Sequence, residues 1–168
     1  MPETAEQYRR RLAEYVKGRD SLAVQRETAG TLARLIKGVE GAKLKGRPEP
    51  GKWSVTEILM HLAEDELVSS WRYRHMLEYE SPELASFDQD LWAQWGDYTS
   101  WEPEDALAMF RLLREANLKM FARLTPEQWQ RSGVHGERGR LTVYDLCIHM
   151  AAHDINHVGQ IRKILAIE

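Results

Sequence analysis

Histidine recurs every fourth residue near the C-terminal end of this chain, at His149, His153 and His157, within a stretch whose apolar residues follow helical spacing. That spacing stacks imidazoles on one side of a helix, about 6 Å apart along the axis. Two neighbours can then share a cation. Three cannot, because the axis rises about 12 Å from His149 to His157 while Zn–N bonds are about 2 Å. Helical angles choose between the pairs. With His153 at zero, His157 falls near +40° and His149 near −40°, and the apolar arc of Leu146, Met150, Ile161 and Ile164 is centred near +50° (rough values for an ideal helix). The 153/157 pair faces a core; His149 belongs at its rim.

The remainder of the chain reads as helix with few strand signals. An opening helix is expected over 4–17, ended by Gly18-Arg19-Asp20, and a second over 21–37 behind an Asp20 or Ser21 cap. Gly46 to Gly51 reads as a loop. Ser54, with Glu57 three residues on, is a capping box for a helix over 54–79, stopped at Ser81-Pro82. A long tryptophan-rich connection follows and should hold a short helix. A helix over 103–124, a turn at Thr125-Pro126-Glu127, an irregular glycine-bearing segment over 133–139 and a final helix from Thr142 complete the reading. The expected fold is all-α: a four-helix bundle with a long crossover between the 54–79 and 103–124 helices and an extra N-terminal helix. The 168 residues suggest one domain, 1–168, with its core over about 21–168.

A net charge of −3, with no basic run interleaved with aromatics, argues against a nucleic-acid partner. No apolar stretch approaches the ~20 residues needed to span a bilayer, and the charged N-terminus lacks a signal-peptide core. The one cysteine, Cys147, cannot form an internal disulfide. A reducing, cytoplasmic setting and no membrane partner are expected.

Two histidines make a weak metal site, and His61 in the 54–79 helix is the best third ligand. The inner face of that helix, measured from His61, takes in Ile58, Asp65, Val68, Arg72, Met76 and Tyr79. Such a stripe is too polar for a plain core and needs partners; a bound cation is one. Glu64 and Asp65 can orient His61 or act as a base, or can form with Glu66 a solvated acidic patch. Asp154 is expected at an exposed flank, His135 in an exposed loop, and Cys147 as a packing residue off the ligand face. His75 lies about 21 Å along the helix from His61 and cannot join the same ion. The six tryptophans read as core or interface residues, some lining a hydrophobic pocket beside the metal.

These segments together carry a resemblance. RPEPGKWSVTEILMHLAEDE, WRYRHMLEYESPELASFDQDLW and AAHDINHVGQIRKIL, in that order, resemble the DinB-like/YfiT-like metalloenzyme superfamily from about Ser21 onward. The resemblance implies a four-helix bundle, often a homodimer, with a divalent metal on three histidines. By position these are His61, His153 and His157. Arg72 and Glu66 fall where similar sequences are commonly basic and acidic. Glu64 stands where relatives often have aspartate, and Gln160 where some have a further histidine.

Three neutral imidazoles leave open positions on an ion, as catalytic sites do. Zinc and nickel suit imidazole best, with iron and manganese also compatible. The leading expectation is a transferase acting on a small-molecule substrate with a low-molecular-weight thiol as co-substrate. The alternatives are a metal-dependent hydrolase and a non-catalytic metal-binding bundle.

Overall fold

The computed structural model describes residues 5–167. Helix α1 (Ala5–Val16) precedes α2 (Ser21–Ile36), a short α3 (Gly41–Lys45) and the long α4 (Val55–Glu78). The crossover holds strand β1 (Glu83–Leu84), α5 (Gln89–Trp95) and a 3-10 turn at Tyr98–Ser100. Then come α6 (Pro103–Phe121), α7 (Pro126–Trp129), strands β2 (Ser132–His135) and β3 (Gly139–Thr142), and α8 (Val143–Leu165). Thr4, at the start of the expected opening helix, lies outside the described residues.

Local chemistry sets the helix starts. Asp20 accepts from the Leu22 and Ala23 amides. Ser54 and Glu57 form the expected capping box, and Thr142 with Asp145 forms another at the head of α8. Helices α2, α4, α6 and α8 make the four-helix bundle, α4 packing on α6 and α8, and α2 on α8 and α6; α1 lies along α8. Arg11 of α1 donates to Asn156 Oδ1 of α8 at 2.6 Å.

The segment expected to be irregular is instead a β2–β3 hairpin, antiparallel, with His135 opposite Gly139. Strand β1 pairs parallel to β2, Glu83 beside Val134 and Leu84 beside His135. Gly133 permits this contact, since a Cβ there would come within 2.7 Å of the Leu84 side chain. The hairpin has only four residues on each side, too few for alternation to stand out against the glycines.

The bundle interior is apolar at both ends. One cluster gathers Leu32, Leu59, Leu62, Phe110 and Ile161; the other gathers Tyr73, Met76, Phe121, Leu146 and Met150. Between them each of the four helices contributes polar side chains. Arg114 of α6, 1% exposed, donates to Asp154 Oδ2 at 2.6 Å and Oδ1 at 3.0 Å, and to Glu66 Oε2 at 2.9 Å. Asn117 donates to Glu66 Oε1 and Ser70 Oγ. Thr28 Oγ1 of α2 donates to Asp154, and Gln25 to the Cys147 carbonyl.

Asp154, expected at an exposed flank, is therefore fully buried, because a guanidinium waits for it inside the bundle. Glu66 and Asp65 are buried as well, so the acidic triplet is no solvated patch. Tyr79 departs the other way: it stands exposed just past the end of α4.

Two measurements check this interior. Arg114→Met strands two buried carboxylates and should cost about 3–5 kcal/mol of unfolding free energy in urea titration. Cys147 is buried, and desolvation pushes its thiol up to about 11. It should resist a disulfide reagent at pH 8 in the native state and react once urea unfolds the chain; immediate native-state labelling would contradict the packing.

Candidate metal centre

The capping box at Ser54 fixes where α4 begins, and about two turns on it places His61 inward at 3% exposure. Helix α8 supplies His153 and His157 at 5% and 6% exposure. The three rings meet at their outer nitrogens. His61 Nε2 lies 3.0 Å from His153 Nε2, and His157 Nε2 lies 3.1 Å from His153 Nε2. Sequence spacing selects this trio, and the fold brings it together.

The tautomer of His157 follows from the far side of its ring. Gln160 Oε1 accepts from His157 Nδ1 at 2.8 Å, so the lone pair of His157 sits on Nε2. The Asp65 carboxylate stands 3.4 Å from His153 Nδ1, a charge contact longer than an aligned hydrogen bond. Burial, the dominant cause, pushes all three imidazoles below their ordinary pKa; neighbouring rings lower His153 and His157 further, whereas Asp65 and Asp90 oppose the shift at His61. The site therefore gathers imidazole nitrogens so close that each contact needs a proton or a cation between the two rings. Two nitrogens bound about 2.0–2.1 Å from one ion sit about 2.9–3.4 Å apart across the usual bond angles. The observed spacing fits a single ion of that size.

The centre opens on a cleft of about 1050 Å³. Trp53 flanks His61 with ring centroids 4.9 Å apart, and Phe87 lines the cleft from the crossover. The expectation of aromatics beside the histidines thus holds for Trp53, whereas Trp71 and Trp95 face outward. His149 is half-buried on the cleft wall, its ring centroid 6.2 Å from that of His153, as the rim position predicted. His75 stacks on Trp71, far from the trio. Glu64 does not reach His61; its carboxylate accepts from the Tyr98 hydroxyl.

His135 is the main residue misjudged from sequence. Instead of occupying an exposed loop it is 4% exposed at the end of β2, and with Arg138 it lines the cleft. Arg72, inward-facing as its position on α4 predicted, is 4% exposed. It donates to the Ala85 carbonyl and meets His135 Nε2 at 3.3 Å. The available signal was the Gly136–Gly139 frame of a tight hairpin, which puts His135 in a strand.

Known proteins share this architecture. The chain is 27% identical over 135 residues to "Putative metal-dependent hydrolase OB0413" of Oceanobacillus iheyensis, covering 80% of this chain and 78% of that one. It is 21% identical over 144 residues to "Putative metal-dependent hydrolase YfiT" of Bacillus subtilis, covering 85% and 81%. A solved structure of YfiT from Bacillus subtilis, described as a probable metal-dependent hydrolase with an unusual four-helix bundle topology, superposes with a TM-score of 0.79 at 20% identity. It covers 88% of this chain and 87% of its own, and shows the shared fold. The family model of the DinB superfamily spans residues 25–161, most of the bundle and all three converging histidines, and the chain belongs to that superfamily.

Proposed function

We propose that this protein is a metal-dependent hydrolase, with a divalent cation, zinc or nickel in preference to iron or manganese, held by His61, His153 and His157. The convergence of three neutral Nε2 atoms at 3.0–3.1 Å carries the reading, and the names of the relatives support it. An ion so held supplies a lowered pKa to a bound water or thiol and polarises a carbonyl.

The chain's own residues do the rest. Burial keeps the three imidazoles uncharged and available as ligands. Gln160, behind His157, holds that ring with Nε2 forward, and the Asp65 carboxylate stands within 3.4 Å of His153 Nδ1 on its far side. Trp53 and Phe87 offer apolar walls to a small-molecule substrate and exclude water from one side of the centre.

A second reading, transfer of a low-molecular-weight thiol to an electrophile, draws support from the size of the cleft. About 1050 Å³ accommodates two small molecules side by side, which hydrolysis does not require.

Metal content should be about one equivalent per chain by elemental mass spectrometry in protein purified without a histidine tag. His153→Ala should reduce it to background. Asp65→Asn should weaken metal affinity by about 10–100-fold, the usual cost of losing a partner behind a ligand; unchanged affinity would remove Asp65 from the site. A panel of p-nitrophenyl esters separates the two chemistries. Hydrolysis predicts turnover by metal-loaded protein without added thiol, and thiol transfer predicts consumption of monochlorobimane only with a thiol present.

A further inference from the structure

We propose that the cleft carries a carboxylate-binding site built on Arg72 and His135, in the same cleft as the three histidines, so that the molecule taken up there is an organic anion. This deepens the hydrolase reading and borrows from it the statement that the anion is a substrate; the binding itself does not need that reading.

The observation is a mismatch of hydrogen-bond donors. The Glu137 amide donates to His135 Nδ1 at 3.2 Å. A neutral imidazole that accepts at Nδ1 carries its proton on Nε2. That Nε2 faces Arg72 Nη2 across 3.3 Å, and a guanidinium has donors only. Two N–H groups therefore point at each other, with nothing between them to accept. Protonating the ring would add a donor and no acceptor. Burial first, then the charges of Arg72 and Arg138, hold its pKa below the ordinary value, against Glu137.

Arg72 has a second donor in the same condition. Its Nη2 reaches the Ala85 carbonyl, but its Nε is buried with no hydrogen-bond partner. Both residues are 4% exposed, and both line the cleft that holds His61, His153 and His157. Buried donors of this kind are costly to leave unmet.

One chemical group answers both. A carboxylate offers two oxygens and about four lone pairs, and it matches the planar fork of a guanidinium. One oxygen can accept from Arg72, and the other from His135 Nε2. Arg138 adds positive charge from the hairpin turn. The acids that act on the pair are Asp65, directed at the His153 ring, and the exposed Glu137. A substrate anchored here by its carboxylate presents the rest of its length to the histidines.

Isothermal titration with glutarate, with its neutral isostere glutaramide, and with inorganic phosphate tests the site on the purified protein. Glutarate should bind, and glutaramide should bind about tenfold more weakly or worse. Arg72→Gln should weaken glutarate by about tenfold or more, with Arg72→Lys recovering part of the loss. His135→Phe, which keeps a ring but removes the donor, is the second variant should Arg72→Gln melt early, and it should also weaken glutarate. Treating the protein with a metal chelator should leave the Arg72 and His135 dependence of glutarate binding unchanged.

Equal binding of glutarate and glutaramide overturns the proposal, as does wild-type affinity in the Arg72→Gln and His135→Phe variants. Loss of affinity on chelation, with none in Arg72→Gln or His135→Phe, also overturns it, by placing the carboxylate on a metal. Tighter binding of phosphate than glutarate, with the same dependence on Arg72, overturns the carboxylate assignment. Retained glutarate binding in a protein that takes up no metal and cleaves no ester would sink the hydrolase reading and leave this site standing.

Discussion

The ion pair that Arg114 makes with Asp154 and Glu66 is the contact on which the rest of this bundle turns. Its three members come from α6, α8 and α4, and Thr28 brings in α2. A guanidinium and two carboxylates withdrawn from water are tolerable only when paired with good geometry, so each helix is held at one rotation and one height. The functional side chains depend on that hold. Asp154 is the neighbour of His153 on α8, and Glu66 is the neighbour of Asp65 on α4. Fixing the first of each pair aims the second.

The site gains its chemistry from what burial does to nitrogen. An imidazole in water is protonated in part near neutral pH. Enclosed by Trp53 and the two helices, the rings of His61, His153 and His157 are pushed toward the uncharged form. A cation shared by the three rings would meet the cost of crowding their nitrogens together. The cleft is divided in its demands. The histidine side presents acceptors and asks for positive charge, whereas the side formed by Arg72, His135 and Arg138 presents donors and asks for negative charge. A polar small molecule lying between them would be oriented end to end.

Much of this was legible from spacing. Ser54 with Glu57 set the start of α4, and the four-residue interval of His153 and His157 fixed their shared face, because helical geometry is periodic and local. The inward stripe of His61, Asp65 and Arg72 was visible on the same ground. What spacing could not supply was the partner on another helix. Asp154 looks exposed when α8 is considered alone; its burial depends on Arg114, forty residues away. The same holds for His135, whose place follows from a hairpin clasped by β1 across a crossover. Gly136 and Gly139 signal a hairpin, but only the close approach of Leu84 to Gly133 shows that β1 clasps it.

The parallel pairing of β1 with β2 has a consequence for how the molecule is assembled. Those strands are separated by some fifty residues of chain, and joining distant segments carries a closure penalty that helix contacts within a hairpin of helices avoid. The strands can dock only after α6 and α7 have carried the chain back across the bundle. The two walls of the cleft thus mature at different times. The arginine wall needs a closure of some fifty residues, whereas the histidine wall waits for α8 to bring His153 back to His61 across 92 residues of chain, so a nascent chain can clasp its strands before its imidazoles meet.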